Sequence, residues 1–128
     1  MRHSILVIED DEPLCFLLGR ILKEKFEVTI KNDPLTAMAW LSNGNMPSLI
    51  LCDFELPGGV TGLEFVQNLH ISGAYGQIPL VMLSGMSDKK VIEECLASGA
   101  SDYLQKPFDP PQLIEVITKV LKKAEIYV

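Results

Sequence analysis

The chain has 128 residues, of which 48% are hydrophobic and 22% charged, a composition typical of one globular domain. Its formal net charge of −6 argues against binding to generic duplex DNA, because that interaction needs a basic protein surface. No apolar run reaches the roughly 18 residues of a transmembrane helix, and the start Met1-Arg2-His3-Ser4 is not typical of a signal peptide. We therefore expect a cytoplasmic protein that has neither a membrane nor a nucleic acid as a direct partner.

Apolar runs that are each short enough to form one buried strand recur along the chain. They are residues 5–8, 49–52, 80–83 and 103–104, and residues 26–30 alternate apolar and polar side chains as a strand would. The segments between them carry apolar residues three and four positions apart, a spacing typical of helices. The alternation of strands and helices predicts an α/β fold in which a parallel sheet is covered by helices on both faces.

Capping residues and apolar stripes define the predicted helices. The starts that carry an acidic cap or a first-turn proline are Glu12-Pro13, Asp33-Pro34, Ser87-Asp88 and Asp109-Pro110. The positions expected to face the core are Leu14, Leu17, Leu18, Ile21, Leu22, Leu63, Phe65, Val66, Leu69, Val91, Ile92, Cys95, Leu96, Leu113, Ile114, Ile117, Val120 and Leu121. The last helical pattern continues to the end of the chain, so we expect one domain over residues 1–128 and no output domain.

The cysteines are widely spaced, at Cys15, Cys52 and Cys95, and each lies in an apolar pattern. A disulfide framework or a zinc site would need paired or clustered cysteines. We therefore predict buried free thiols that pack as small apolar side chains.

Acidic residues follow the first and third predicted strands. Glu9 and Asp10 come after the first strand, and Asp53 follows the third. Because parallel strands bring their carboxyl ends to one edge of the sheet, we expect these acids to lie close together. Crowded carboxylates repel one another unless a cation joins them, and oxygen ligands suit Mg2+ or Mn2+. Asp53 is then a candidate nucleophile, since a carboxylate can accept a phosphoryl group.

A hydroxyl and an amine follow the fourth and fifth predicted strands. Ser84, with Gly85 beside it, is either an ordinary turn residue or a hydrogen-bond donor to a phosphoryl oxygen. Lys106 is either a solvated lysine or a point charge for a phosphoryl oxygen or the acidic cluster. Pro107 restricts the backbone next to it, and a cis bond between the two would turn the amine toward the site.

These motifs together resemble the response-regulator receiver domains of two-component signalling, the family of the bacterial chemotaxis receiver. The matching segments are Ile5-Leu6-Val7-Ile8-Glu9-Asp10-Asp11, Asp53-Phe54-Glu55-Leu56-Pro57, Leu83-Ser84-Gly85, Gly99-Ala100-Ser101-Asp102-Tyr103-Leu104 and Gln105-Lys106-Pro107-Phe108. Each is weak alone, but their order and spacing are highly specific. The resemblance implies a flavodoxin-like (βα)5 three-layer sandwich whose parallel sheet has the strand order 2-1-3-4-5.

The resemblance also implies a role for each acid. Asp53 corresponds to the phosphoacceptor, which takes its phosphoryl group from a histidine kinase or a phosphotransfer protein. Asp10 corresponds to the direct Mg2+ ligand, and Glu9 to an acid that often acts on the metal through water. Glu55 occupies the position whose main-chain carbonyl binds the metal. Such a domain is a switch that acts on itself and not a turnover enzyme.

The remaining matches concern the phosphoryl group and the response to it. Lys106 corresponds to the lysine that pairs with the phosphate. Ser84 and Tyr103 correspond to a switch pair, in which the hydroxyl moves toward the phosphate and the ring turns inward. This would reshape the face formed by the fourth helix, fifth strand and fifth helix, where we expect an unknown downstream partner or a phosphorylation-dependent dimer.

The chain departs from the family pattern near the phosphoacceptor. The family usually has a glycine eight residues after this aspartate, where the chain has Thr61, and Gly62 follows one position later. One extra residue therefore lies within residues 57–62. Glu55 and Met86 flank the path of the hydrolytic water in the family, and we hypothesise that they tune the phosphoryl lifetime.

Two other functions compete with the receiver. A haloacid-dehalogenase-type phosphohydrolase also uses an aspartate, a Ser or Thr and a lysine, but its nucleophile follows the first strand, whereas Asp53 follows the third. It also needs a late acidic motif, which is missing after Lys106. The other alternative is a degenerate receiver that binds partners independently of phosphorylation, for which the loop insertion is the argument.

Overall fold

The computed structural model describes residues 2–126, in which strands and helices alternate. The elements are β1 (Ser4–Ile8), α1 (Glu12–Leu22), β2 (Glu27–Lys31), α2 (Pro34–Ser42), β3 (Leu49–Asp53), α3 (Gly62–Ile71), β4 (Leu80–Ser84), α4 (Lys89–Ala97), β5 (Asp102–Gln105) and α5 (Pro110–Ile126). Residues 127 and 128, which the predicted last helix also included, lie outside the described residues. The predicted strands and the four predicted helix starts are confirmed to within one residue.

Within the described residues, the strands form one parallel sheet in the order β2-β1-β3-β4-β5. This confirms the flavodoxin-like order. The register aligns the carboxyl ends of the central strands, since Ile8 pairs with Cys52 and Asp53 pairs with Leu83. The residues that follow these strands consequently lie along one edge of the sheet.

The core consists of two apolar layers because successive side chains of a buried strand point to opposite faces. In β1, Ile5 and Val7 belong to the apolar cluster that includes residues of α1 and α5, while Leu6 and Ile8 belong to the cluster that includes residues of α2, α3 and α4. All four of these side chains are at most 1% exposed. A fully buried aliphatic side chain of this size contributes about 1.5–3 kcal/mol, so these layers are a major source of stability.

Side-chain caps begin most of the helices at the predicted places. Asp33 accepts a hydrogen bond from the Thr36 N–H, with Pro34 as the first helical residue of α2. Asp88 accepts one from the Lys90 N–H at the start of α4. Gly99, just past the end of α4, has a φ of 119°, a conformation that favours glycine.

Three burial predictions are wrong. Leu17 on α1 is 47% exposed and Leu96 on α4 is 43% exposed, although both were expected to face the core. The apolar stripe of each helix is wider than the face that the sheet can cover. Cys15 is half-buried on α1, whereas Cys52 and Cys95 are buried free thiols as predicted.

None of the helices described over residues 2–126 is both long enough and apolar enough to cross a membrane.

Candidate functional site

The carboxyl edge of the sheet gathers residues from three strands. Glu9 follows β1, Asp53 ends β3, and Lys106 follows β5. The Lys106 N–H donates to the main-chain oxygen of Ser84 over 2.7 Å. This hydrogen bond holds the main chain of Lys106 against the end of β4. From there its side chain extends over β4 to reach the two acids.

The Lys106 amine bridges Glu9 and Asp53. Its Nζ lies 3.2 Å from Glu9 Oε1 and 3.2 Å from Asp53 Oδ1. The lysine side chain is 27% exposed, whereas the two carboxylate side chains are only 1% and 5% exposed. Burial alone lowers the pKa of Lys106, but the charges of Asp53 and Glu9 outweigh this and raise it above its ordinary value. The amine is therefore a stable positive charge within the acidic cluster.

The two oxygens of Asp53 have different surroundings. Oδ1 accepts hydrogen bonds from Lys106 Nζ at 3.2 Å and from the Glu55 N–H at 3.3 Å. Among the described residues, no hydrogen-bond donor reaches Oδ2. These contacts fix the orientation of the carboxylate and leave one oxygen free for a ligand or a reaction.

The Glu9 carboxylate is held by donors on both oxygens. Oε1 accepts from Lys106, and Oε2 accepts from the Asp11 N–H at 3.2 Å. Burial raises the pKa of Glu9 to about 7, and the nearby charge of Asp53 raises it as well, while the Asp11 N–H and Lys106 oppose this. The raised pKa of Glu9 reflects mainly the cost of burying its carboxylate, to which the neighbouring charge of Asp53 adds.

An acidic cluster suited to a divalent cation lies at this edge. Glu9, Asp10 and Asp53 each offer a carboxylate oxygen, and these three oxygens lie within 4.8 Å of one another. Asp10 is exposed, so it can bind an ion that keeps several of its waters. Carboxylate oxygens are the ligands that Mg2+ prefers, and the donor set therefore fits this ion or Mn2+.

The cluster opens into a surface depression of about 620 Å³. Its lining residues are Glu9, Asp10, Asp11, Leu14, Leu17, Asp53, Glu55, Lys106, Pro107 and Phe108. The lining combines acids and the lysine with apolar side chains of α1 and of the segment after β5. The peptide bond between Lys106 and Pro107 is cis.

Ser84 and Tyr103 lie outside this lining and are joined to each other through Met86. The Met86 N–H donates to Ser84 Oγ over 3.1 Å, and the Tyr103 hydroxyl donates to the Met86 carbonyl oxygen over 2.7 Å. Ser84 is fully buried and Tyr103 is half-buried. One residue of main chain therefore connects the serine to the tyrosine.

The loop after Asp53, in which the family pattern predicts one extra residue, has open space around two of its glycines. Gly58 and Gly59 have φ values of 83° and 79°, and a Cβ on either would meet no atom within 4 Å. Gly62 is different, because a Cβ there would lie 2.6 Å from Phe54 Cα and would also overlap the carbonyl oxygen of Asp53. Its N–H donates to the Phe54 carbonyl oxygen over 2.7 Å. The start of α3 therefore packs tightly against the end of β3 despite the longer loop.

The structure thus brings together six of the residues singled out from the sequence: Glu9, Asp10, Asp53, Glu55, Lys106 and Pro107. Sequence reasoning missed Asn32, which donates from Nδ2 to the Glu9 carbonyl oxygen over 3.0 Å, and the Asp11 N–H. No sequence signal identifies either of them, because one acts from a loop after β2 and the other through its main chain. For Gly62 the sequence does offer a signal. A glycine at this distance after Asp53 indicates that the start of α3 packs closely against the end of β3.

Comparisons with known proteins identify the family to which the chain is similar. A family model described as "Response regulator receiver domain" matches residues 5–118. The phosphate regulon transcriptional regulatory protein PhoB of Escherichia coli is 31% identical over 123 residues, which are 96% of this chain and 53% of that protein. The DNA-binding response regulator MtrA of Mycolicibacterium smegmatis is 34% identical over 129 aligned residues. The match covers 98% of this chain and 53% of that protein.

A solved structure extends the similarity to the whole fold. The crystal structure of a CheY-like response regulator receiver domain protein from Methanospirillum hungatei has a TM-score of 0.89 and 26% identity, and the match covers 100% of both chains. The chain spans about half the length of the curated relatives it matches.

Proposed function

The chain belongs to the response regulator receiver domain family, and on that basis we propose that Asp53 accepts a phosphoryl group from a histidine kinase or a phosphotransfer protein. Members of this family are phosphoryl-accepting signalling switches of two-component systems and not turnover enzymes. The observation that supports Asp53 most directly is the difference between its two oxygens. Oδ1 is held by Lys106 and the Glu55 N–H, while Oδ2 accepts no hydrogen bond from the described residues.

The proposed reaction is a direct transfer to Asp53 Oδ2. A bond forms between Oδ2 and phosphorus while the phosphorus–nitrogen bond of the donor's phosphohistidine breaks. The departing imidazole nitrogen keeps the electron pair of the broken bond. Lys106 donates a charge-assisted hydrogen bond to a phosphoryl oxygen, since its amine already lies 3.2 Å from the acceptor carboxylate. Orientation and charge stabilisation are the main contributions of the protein to such a transfer.

We assign the metal ligands from the same cluster. Asp10 and Asp53 would hold Mg2+ or Mn2+ by carboxylate oxygens, and Glu55 would hold it by its main-chain carbonyl oxygen. Glu9, whose side chain is almost fully buried, would act through water. The ion, when bound, neutralises the negative charge that the phosphoryl group brings to the acids.

The hydrogen bonds around Met86 support a switch that links Ser84 to Tyr103. When the Ser84 hydroxyl turns toward the phosphoryl group, its bond from the Met86 N–H weakens, and the Met86 carbonyl that binds Tyr103 moves with it. The phosphoryl group then favours one of two packings of the α4, β5 and α5 surface. We propose that a downstream partner or a second receiver binds this surface.

The first experiment is intact-mass spectrometry after incubation with acetyl phosphate and Mg2+. The expected result is one added phosphoryl group, which is absent in Asp53→Asn and without Mg2+. Release of inorganic phosphate is measured in parallel, because a short-lived adduct still consumes acetyl phosphate in an Asp53-dependent way. The absence of both an adduct and Asp53-dependent phosphate release would contradict the proposal. It would favour the phosphorylation-independent interaction module.

A further inference from the structure

We propose that Glu9 is a positioning residue that holds the Lys106 amine beside the phosphoryl site on Asp53. This inference rests on the proposed function of Asp53 and assigns Glu9 a second task besides its water-mediated action on the metal. Two observations carry it, the contact between Glu9 and Lys106 and the way in which the protein holds Glu9 itself.

The contact places a buried anion beside a flexible cation. Glu9 Oε1 lies 3.2 Å from Lys106 Nζ, and the glutamate side chain is 1% exposed against 27% for the lysine. A lysine side chain has four rotatable bonds, so a single partner leaves its amine free to swing. Lys106 approaches from β5 and must pass over β4 to reach Asp53. A second, immobile anion fixes the direction of that approach.

Glu9 is immobile because it is anchored at both ends. Its Oε2 accepts from the Asp11 N–H at 3.2 Å. Its carbonyl oxygen accepts from Asn32 Nδ2 at 3.0 Å and from the Cys15 thiol at 3.1 Å. Both carboxylate oxygens therefore have protein donors, whereas Asp53 keeps Oδ2 free and Asp10 is exposed. The geometry directs Glu9 toward the lysine and leaves the open side of the cluster to the other two acids.

The anchor matters most when Asp53 changes. Phosphorylation removes the negative charge from the Asp53 oxygen that carries the new bond and places charge on the phosphoryl oxygens. The Lys106 amine must then turn from the carboxylate to one of those oxygens. A fixed contact with Glu9 keeps the amine within reach during this change, and the transfer gains an oriented cation without a search through lysine rotamers.

The kinetic test separates positioning from metal binding. The initial rate of phosphorylation by acetyl phosphate is measured at saturating Mg2+ and pH 8 for four proteins: the parent, Glu9→Gln, Lys106→Met and the double variant. Saturation removes any effect of Glu9 on Mg2+ affinity. We expect Glu9→Gln to slow the saturated rate by about tenfold, the effect of one charge-assisted hydrogen bond in the transition state. In the Lys106→Met background the same substitution should change the rate by less than about twofold, because the two residues act as one unit.

A second readout needs neither metal nor phosphorylation. Mg2+-free protein is treated with a limiting amount of an acetylating reagent, and modification of each lysine is followed by peptide mass spectrometry. In Glu9→Gln the reagent should acetylate Lys106 several-fold faster than in the parent, because an amine without its fixed partner is free to react. Lys90, which is exposed on α4, is the internal control and should be modified at the same rate in both proteins.

The outcomes are distinct. An unchanged saturated rate in Glu9→Gln, or an equal slowing with and without Lys106, would overturn the positioning role and leave Glu9 a metal residue. Unchanged acetylation of Lys106 would also overturn it. If the parent shows no Asp53-dependent reaction with acetyl phosphate, the proposed function fails, and the acetylation experiment still decides whether Glu9 positions Lys106.

Discussion

The hydroxyl of Tyr103 donates a hydrogen bond of 2.7 Å to the main-chain carbonyl oxygen of Met86, and the N–H of Met86 donates one to Ser84 Oγ. The two residues expected to form a switch pair are thus connected through the main chain of a third residue. This connection lies outside the lining of the acidic depression.

Removing the Tyr103 hydroxyl tests this connection. Tyr103→Phe keeps the ring and its packing but loses the bond to Met86, and a net hydrogen bond of this kind contributes about 0.5–1.5 kcal/mol. We expect the free energy of unfolding to fall by about this amount in urea titrations. Tyr75→Phe is the matched control, because the Tyr75 hydroxyl makes no hydrogen bond with the described residues. Equal losses in the two variants would contradict the assignment.

Gly62→Ala tests the close packing of α3 on the end of β3. A methyl group at this position would overlap the main chain of Asp53 and Phe54, which cannot move without displacing Asp53, the proposed phosphoacceptor. We expect a loss of about 1–3 kcal/mol in the free energy of unfolding, as for other overpacked sites, together with slower phosphorylation by acetyl phosphate. Gly73→Ala is the control, since a Cβ there meets no atom within 4 Å. A tolerated Gly62→Ala would show that the loop can move away from the site.

Mg2+ should stabilise the folded protein, because a ligand that binds only the folded state raises the free energy of unfolding. The expected gain is about 2.7 kcal/mol when the free ion is at a hundred times its Kd. Differential scanning calorimetry with and without Mg2+ measures this as a rise in Tm. Asp10→Asn should remove most of the rise, whereas Glu93→Gln, an exposed acid on α4, should retain it. A rise that persists in Asp10→Asn would contradict the proposed ligand set.

Glu55 and Met86 are predicted to tune the phosphoryl lifetime. Glu55 lines the depression and Met86, 38% exposed, follows Ser84 by two residues. In the family this position flanks the path of the hydrolytic water, so we expect Met86→Ala, which removes a bulky apolar group there, to make dephosphorylation at least about threefold faster. Glu55→Asn should change the rate by a similar factor. The measurement is the decay of the phosphorylated mass with time. Met46→Ala is the control, because Met46 is exposed and far along the chain from the site. Unchanged rates in both test variants would refute the hypothesis.

The cysteines offer a test of the fold itself. Cys52 and Cys95 are 0% exposed, while Cys15 is half-buried near the surface of α1. Burial raises the pKa of each of these thiols and makes it less reactive. In native protein we expect a thiol reagent such as Ellman's reagent to modify Cys15 slowly and to leave the other two intact, and all three should react in urea. Rapid modification of Cys52 would contradict the packing of β3.

The local pattern of the chain was sufficient to predict the elements and the parallel sheet. Short apolar strands such as β1 and helix starts such as the N-cap at Asp33 are recognisable from neighbours within a few residues. The acids and the lysine could be assigned to one edge because each follows a strand, and parallel strands share that edge. The strand order came from the family resemblance, since periodicity does not specify which strands pair.

Only the tertiary structure decided how these residues contact one another. Glu9 and Lys106 are 97 positions apart, and their contact depends on how far a lysine reaches over β4. The link from Ser84 to Tyr103 uses main-chain groups of Met86, which are the same in every residue type and leave no trace in the sequence. Leu17 is exposed because the sheet covers only part of the apolar stripe of α1. Residue types set the chemistry that is available at the site, while side-chain reach, main-chain hydrogen bonds and the area that a sheet can cover are properties of the folded arrangement.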